Sequence, residues 1–321
     1  MSRYTEQPLE FTRLSTIPIA ERGGKVRLEH MGNPAGAGLR LGDWLERLPK
    51  VLAADSLRGV VEALEQGRAK KRALLWGIGG HVVKCGLAPV LVDLMDRGWI
   101  TGLAMNGAAS IHDFEIGIAG ATSEDVEAVL PDGRFGSAEE TGREMNTALA
   151  EGARQGWGAG EALGYRLEKI ARPDCAPFCL LVQAWRRRIP VTVHVAVGTD
   201  TPHTHPVADG SAIGETSYHD FRLFCSMVRG LDEGGAYVNV GSAVLLPEVF
   251  LKAVSVVRNL QYPLKKFTTV NFDFLQHYRP KANVVERPHA GAGGRGYSIT
   301  GHHEILIPLL AAILVDREQS A

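Results

Sequence analysis

Residues 73–115 read ALLWGIGGHVVKCGLAPVLVDLMDRGWITGLAMNGAASIHDFE, and this stretch decides the fold. It opens on a short apolar run, residues 73–76, that ends at Gly77-Ile78-Gly79-Gly80. Glycine permits a sharp backbone turn and leaves peptide groups uncovered by side chains. Pro89 stands where a helix begins and Gly98 where it ends, since proline favours the first helical turn and glycine the helix stop. The pattern predicts a strand, a glycine loop and a helix in succession.

The same order then repeats. A second apolar run, residues 99–105, ends in the small-residue segment Asn106-Gly107-Ala108-Ala109-Ser110, and residues 111–115 enter another helix. Strands joined through helices pair in parallel, and ligands bind where the carboxyl ends of such strands meet. We therefore predict a ligand at both loops. Val82 stands where the usual dinucleotide fingerprint has its third glycine, so tight turns without a ligand stay open as an alternative.

Composition narrows the class of protein. A hydrophobic content of 45% with 22% charged residues is ordinary for a globular chain, and a net charge of -1 gives no reason to expect nucleic acid or a membrane as partner. The sequence shows no leader and no apolar run of membrane-spanning length, so we expect a cytoplasmic protein. The four cysteines are expected to be buried thiols rather than disulfides or a metal finger: Cys85, Cys175, Cys179 and Cys225.

The rest of the chain predicts an arm and one domain. Residues 1–40 carry prolines and glycines without periodicity and are expected to form an irregular N-terminal arm that lies on a partner subunit. Residues 41–321 alternate helical and apolar runs without a visible linker. The apolar run at residues 191–197 is typical of a strand buried on both faces, and the polar loop at residues 198–211 is expected to carry function. We predict a single doubly wound α/β domain with a mostly parallel sheet.

Several of these segments, in this order, resemble the deoxyhypusine synthase family. The likeness covers about residues 70–315 and rests on the following motifs: the Gly77 loop with its Pro89 helix, residues 106–110, Arg188-Ile189-Pro190-Val191, Asp209-Gly210-Ser211 and Val240-Gly241-Ser242. The resemblance implies a nicotinamide-binding α/β fold, NAD as cofactor, and a homotetramer with sites between subunits.

The resemblance also implies roles for individual residues. Asp209 matches the family's Asp-Gly-Ser motif, and Glu215 matches its acidic contact to the amine substrate, although it stands one residue further along. His112-Asp113 falls where the family has acidic residues. The implied cofactor-binding residues are Gly77, Gly79, Gly80, Asn106, Gly107, Ala108, Ala109, Ser110, Asn271 and Asp273.

The chain departs from the family at its catalytic lysine, which follows Trp-Gly near the C-terminus. The corresponding residues 298–304 read SITGHHE, so His302 replaces the lysine, and no lysine follows Lys281. An imidazole cannot carry an imine through the aminobutyl transfer. Synthesis of deoxyhypusine by the Schiff-base route is therefore not expected, and borohydride should trap no adduct on Lys84, the lysine nearest in sequence to a predicted ligand loop.

Histidines are dense on the predicted loops. Because imidazole titrates near neutral pH, His302 and His205 are expected to act as general acid or base, beside Asp209 and Glu215 as the substrate-holding carboxylates. His203 and His205 have spacing that suits a metal, and His302 and His303 are further candidates, but no metal is expected. His194 lies inside an apolar run and is expected to be a satisfied core residue.

These observations favour an NAD-dependent enzyme of transferase or lyase type that acts on a small amine or polar metabolite such as a polyamine. Two alternatives stay open. One is a non-catalytic homologue that binds a dinucleotide as a sensor, and the other is a metal-dependent hydrolase or lyase that uses the loop histidines. The arm and the resemblance both favour a homo-oligomer, a tetramer or a dimer.

Overall fold

The computed structural model describes residues 3–319. Six strands form one sheet: β1 Leu74–Ile78, β2 Gly102–Asn106, β3 Val191–His194, β4 Ala236–Val240, β5 Thr268–Asp273 and β6 Arg295–Thr300. Every neighbouring pair is parallel, and the order across the sheet is β3-β2-β1-β4-β5-β6. This is the order of a doubly wound α/β fold, as the sequence predicts.

Helices connect the strands and cover both faces of the sheet. They are α1 Leu41–Arg47, α2 Leu52–Ala69, α3 Gly80–Lys84, α4 Ala88–Asp96, α5 Gly107–Ala119, α6 Val126–Val129, α7 Glu139–Gln155, α8 Ala159–Ile170, α9 Leu180–Arg187, α10 Gly210–Arg229, α11 Leu245–Asn259, α12 Tyr278–Pro280 and α13 His303–Glu318. Pro89 lies in the first turn of α4, where the sequence places it. Within residues 3–319, no helix has both the length and the apolar character needed to cross a bilayer.

Alternate side chains of the central strands enter two separate cores. Trp76 of β1 and Val238 of β4 pack into the core beneath α2, α4 and α13, while Leu75 and Tyr237 point into the core beneath α10 and α11. Successive strand residues face opposite sides, so both faces of these strands are apolar. The ends of the strands are then the places where polar groups can gather.

Gly77 takes part in this packing and lies in a strand, not in the predicted loop, while its role as a cofactor contact stays a prediction. It lies within β1, and a Cβ at this position would overlap the hydroxyl of Tyr237. The Tyr237 ring is stacked on Phe250 with centroids 3.9 Å apart and cannot retreat. Gly77 therefore makes room for a core aromatic ring, and the glycine loop begins two residues later at Gly79.

The segment at residues 106–110 is also not a loop. Helix α5 begins at Gly107, directly after β2, and the Asn106 side chain accepts a hydrogen bond from the Ala109 amide at 2.9 Å. Asparagine is a strong N-cap residue, and small residues fill a first helical turn without strain. The Ser110 hydroxyl is buried and donates to the Gly107 carbonyl. The strand β3 likewise stops at His194, earlier than the predicted 197.

Asp220 joins three elements beneath the sheet edge. Its carboxylate in α10 accepts the Gly160 amide of α8 at 2.8 Å and the Val193 amide of β3 at 2.7 Å. The residue is fully buried, and burial raises the pKa of Asp220 from 3.8 to about 7 against the opposing effect of these hydrogen bonds. Protonated Asp220 is therefore the form that the fold favours.

Acid should stabilise the protein through Asp220. Because its folded pKa exceeds its unfolded value, this contribution is fully present below the unfolded pKa of 3.8 and is lost as the pH rises through about 7. Asp220→Asn keeps the shape but does not titrate. Going from about pH 8 to about pH 5, the free energy of unfolding should rise by roughly 2–3 kcal/mol more in the wild type than in Asp220→Asn. Urea denaturation at both pH values checks this, and parallel pH profiles for the two proteins would refute it.

Candidate functional site

The sheet reverses its direction of growth between β1 and β4. These strands are neighbours at the centre, yet the chain runs outward from β1 to β2 and β3 on one side and from β4 to β5 and β6 on the other. In folds with this strand order, ligands bind at the carboxyl ends of the strands on either side of such a switch point, and we call this place the crevice. Gly79 and Gly80 follow β1, and Gly241 and Ser242 follow β4.

The backbones of these two loops are in direct contact. A Cβ at Gly79 would overlap the carbonyl group of Gly241. Gly241 has φ of +64°, and a Cβ there would lie 2.8 Å from Cε1 of His303. Only glycine satisfies both positions. The floor of the crevice is thus bare backbone with one imidazole ring beside it.

One ring nitrogen of His303, next to Gly241, has no hydrogen-bond partner. The residue is 1% exposed, its Nε2 lies 3.2 Å from the Phe272 carbonyl, and its Nδ1 is buried without a partner. Burial lowers the pKa of His303, which favours the neutral ring. Since a carbonyl can only accept, Nε2 carries the proton and Nδ1 offers a lone pair. A ligand that donates an N–H or O–H at this point would satisfy the buried atom.

Rings from three loops form the rim of the crevice. His81 lies 5.5 Å from His303 and 6.0 Å from Phe274, measured between ring centroids. Phe274, which follows β5, is stacked with His302 at 6.3 Å. Phe274 and His302 are exposed, so these rings offer an aromatic face to a flat ligand group.

A cleft of about 940 Å³ opens beside the crevice, between α5, α6, α7 and the loop at residues 199–201. Lys84 and Ala108, at the carboxyl edge of the sheet, line its near end. Its charged lining consists of five carboxylates and two cations: Glu115, Glu124, Glu140, Glu144 and Asp200 with Lys84 and Arg143. The cleft is large enough for a small metabolite, and its charge balance favours a cation.

A hydrogen-bonded chain runs along one wall of the cleft. The Thr122 hydroxyl donates to Glu115, and Nδ1 of His112 lies 2.7 Å from that hydroxyl oxygen. Burial opposes ionisation of Glu115, but the hydrogen bonds from His112 and Thr122 outweigh it and hold its pKa below the usual value. The Thr122 hydroxyl donates its proton to Glu115, so towards His112 its oxygen can only accept. His112 Nδ1 therefore carries a proton, and its Nε2 is free to accept one.

His112 also faces the glycine loop. A Cβ at Gly80 would lie 3.0 Å from Cδ2 of His112, the ring carbon adjacent to Nε2. The imidazole therefore stands between the crevice and the cleft. Its neighbour Asp113 has a different role: it is buried and accepts the Leu180 and Leu181 amides at 2.7 and 2.8 Å, which caps α9.

The structure does not bring the predicted catalytic residues together. Asp209 is the N-cap of α10 and accepts from the Ser211 amide, and Glu215 is exposed further along that helix. His302 follows β6, at the other edge of the sheet from β3, which α10 follows. Five strand spacings of about 4.8 Å separate those edges, roughly 24 Å. A single pocket that holds Asp209, Glu215 and His302 is therefore not formed within residues 3–319.

The other predicted residues have structural partners. His205 is held against α7 by Glu139 at 3.2 Å. Asn271 accepts from Asn239 and donates to Gln276 beneath the crevice, while Asp273 lies 3.8 Å from His303. A Cβ at Gly107 would overlap the Asp200 carboxylate, which covers the start of α5. His194 is buried with Thr192 as its partner at 3.0 Å, as predicted.

Two groups were missed by the sequence analysis. One is the His112, Glu115 and Thr122 chain, for which the spacing of His112 and Glu115 on one helix face was the available signal. The other joins His81, Cys85 and Glu304. Cys175, Cys179 and Cys225 are buried free thiols as predicted, but Cys85 is only half-buried.

Comparison with known proteins supports the fold. Neither a protein-family model nor a curated protein matches this sequence. Among solved structures, AgrE in a ternary complex with ornithine and NAD+ is similar with a TM-score of 0.52 and 15% identity, over 86% of this chain and 35% of the AgrE chain. The chain thus spans about a third of AgrE. At this identity the likeness shows a shared α/β fold.

Two further structures are similar at lower TM-scores. One, assigned as a LOR/SDH protein from Methanococcus maripaludis S2, has a TM-score of 0.49 and 13% identity over 84% of this chain and 71% of its own. The other, assigned as a deoxyhypusine synthase from Entamoeba histolytica, has a TM-score of 0.47 and 9% identity over 88% of this chain and 95% of its own.

Proposed function

We propose that this chain is an NAD-dependent enzyme that acts on a small amine. The dinucleotide binds in the crevice between the ends of β1 and β4, and the substrate binds in the adjoining cleft. The unpartnered Nδ1 of His303 beside Gly241 carries the proposal, since a buried acceptor at a switch point calls for a ligand donor. AgrE, which shares the fold, was solved with NAD+ and ornithine and supports both ligand classes.

The crevice residues fit such a cofactor. Gly79 and Gly241 leave no side chain between the ligand and the backbone. His303 Nδ1 would accept a hydrogen bond from a donor group of the cofactor, and the Phe274 ring beside His303 would offer an apolar face to it. Bound NAD+ would supply a hydride acceptor.

The cleft residues would bind and deprotonate the amine. Its carboxylates attract a cation, and His112 Nε2 would accept a proton from the substrate nitrogen while the Thr122 hydroxyl and Glu115 stabilise the resulting imidazolium. The sequence predicts a proton-transfer role for His302, and we assign that role to His112 instead. A transferase that forms a lysine imine is not part of this proposal.

His303→Phe tests the cofactor site. Phenylalanine keeps the ring but lacks the acceptor nitrogen, so NADH affinity should fall by about tenfold, or about 1.4 kcal/mol. Isothermal titration calorimetry of NADH into wild type, His303→Phe and the exposed-loop control His277→Ala measures this. The control should bind as the wild type does. Equal affinity in a folded His303→Phe would contradict the assignment of Nδ1, and no binding to the wild type at millimolar NADH would refute the proposal.

We further propose that the chain assembles as a dimer or tetramer through its arm. Large apolar side chains of the arm are exposed: Leu9, Phe11, Leu14, Ile17, Ile19, Val26, Leu28 and Met31. Burying each one against a second copy would contribute about 1.5–3 kcal/mol before ordering costs.

Deletion of residues 1–38 should therefore yield a monomer, while the full chain has the mass of a dimer or tetramer. Multi-angle light scattering at micromolar concentration measures both, and circular dichroism shows whether the shortened chain is folded. A monomeric full chain, or an assembly that survives the deletion, would contradict the role of the arm.

A further inference from the structure

Three side chains with metal-binding atoms meet at the rim of the sheet edge. One ring nitrogen of His81, the Cys85 sulfur and one Glu304 carboxylate oxygen all lie within 4.8 Å of one another. The Cys85 Sγ is 3.6 Å from Oε2 of Glu304. These atoms come from two helices that are distant in sequence, so the arrangement depends on the fold.

The fold holds the group in place from both sides. His81 and Cys85 are four residues apart along α3 and its C-terminal end, which places them on one face of that turn. Glu304 lies in the first turn of α13, and its neighbour His303 is anchored to the Phe272 carbonyl of β5. This contact fixes the start of α13 against β5, and the His81 ring of α3 lies 5.5 Å from the His303 ring.

The three types of ligand atom together favour one class of metal ion. Imidazole, thiolate and carboxylate together suit Zn²⁺, whereas Mg²⁺ and Ca²⁺ prefer oxygen ligands alone. Zinc needs ligand atoms at about 2.0–2.3 Å, so the three atoms must contract by small side-chain rotations. His81 and Glu304 are exposed, which leaves them free to rotate. Cys85, alone among the four thiols, is not buried, so solvent ions can reach it.

We propose that His81, Cys85 and Glu304 bind a zinc-class divalent transition-metal ion. Three protein ligands leave one tetrahedral position open to water or to His302, whose Nδ1 lies 3.9 Å from Oε1 of Glu304. The site is separate from the His112 chain and does not depend on the proposed dinucleotide.

Metal titration tests the site directly. Chelator-treated, reduced full-length protein is titrated with Zn²⁺ against a chromophoric competitor, and separately with Co²⁺ under an absorption spectrometer. The wild type should bind one equivalent of Zn²⁺, and Co²⁺ should give a thiolate charge-transfer band with tetrahedral ligand-field bands. Cys85→Ser should weaken zinc binding by about a hundredfold and abolish the charge-transfer band, because the thiolate is lost.

Two further variants complete the design. Glu304→Gln should weaken zinc binding while keeping the Co²⁺ charge-transfer band, whereas His277→Ala, an exposed histidine outside the group, should leave both unchanged. Equal zinc affinity in wild type and Cys85→Ser, or no charge-transfer band in the wild type, would overturn the proposal. NADH calorimetry on the same samples, with and without Zn²⁺, separates a failure of this site from a failure of the dinucleotide site.

Discussion

Gly79→Ala is expected to lower the free energy of unfolding by about 3 kcal/mol, because a methyl group there must displace backbone. A Cβ at Gly79 would overlap the carbonyl group of Gly241 in the neighbouring loop, and the overlapped atoms are backbone rather than the end of a flexible side chain. Urea denaturation of purified protein measures the change. The NADH affinity of the folded fraction should fall as well, since the crevice would have to open.

Gly214→Ala is the matched control. Gly214 lies in α10 with nothing within 4 Å of an added Cβ, so alanine should stabilise the protein by about 0.5–1 kcal/mol through helix propensity. If Gly79→Ala were as stable as the wild type, the close approach of the two loops would be wrong, and with it the shape of the proposed cofactor site.

His112→Ala is expected to reduce turnover by about 10²–10⁴-fold, the usual contribution of a general base. His112 is the group whose Nδ1 is tied to Thr122 and Glu115 while its other ring edge faces the Gly80 loop. Any amine whose oxidation by NAD+ the wild type supports, as found by a screen at the NADH absorption band, serves as the assay substrate.

The His112 assignment has its own controls. His277→Ala should retain the wild-type rate, and Glu115→Gln should shift the pH profile of kcat/KM because the imidazolium loses a nearby negative charge. His112→Ala should bind NADH with unchanged affinity. Full turnover in His112→Ala would remove this residue from the mechanism, whereas turnover lost in His302→Ala alone would restore the sequence-based choice.

The sequence predicts the sheet well because its signals are local. The apolar run that ends at Ile78, the Pro89 helix start and the apolar residues 191–194 each report on a few neighbouring residues. The role of Gly77 could not be read in the same way. It depends on Tyr237, which is distant in sequence and fills the space that a Cβ would need. The helix start at Gly107 could have been found, since Asn106 is a strong N-cap signal.

The candidate site was harder to predict because it depends on contacts between distant segments. Asp209 and His302 were grouped through a resemblance, yet they follow strands at opposite edges of the sheet. His303 belongs to the candidate site because its Nδ1 is buried beside Gly241 without a partner. The spacing of residues along the sequence does not indicate this contact. Cys85 and Glu304 are in contact because α13 packs at the same edge of the sheet as α3. No pattern of neighbouring residues in the sequence predicts this contact.

A crystal structure of the protein grown with NADH tests the central claim most directly. The account predicts dinucleotide density across the ends of β1 and β4, with a donor atom of the ligand within hydrogen-bonding distance of His303 Nδ1 and the ligand backbone passing Gly79 and Gly241. Density for the dinucleotide at any other edge of the sheet, or a crevice that stays free of ligand while calorimetry shows binding, would contradict it.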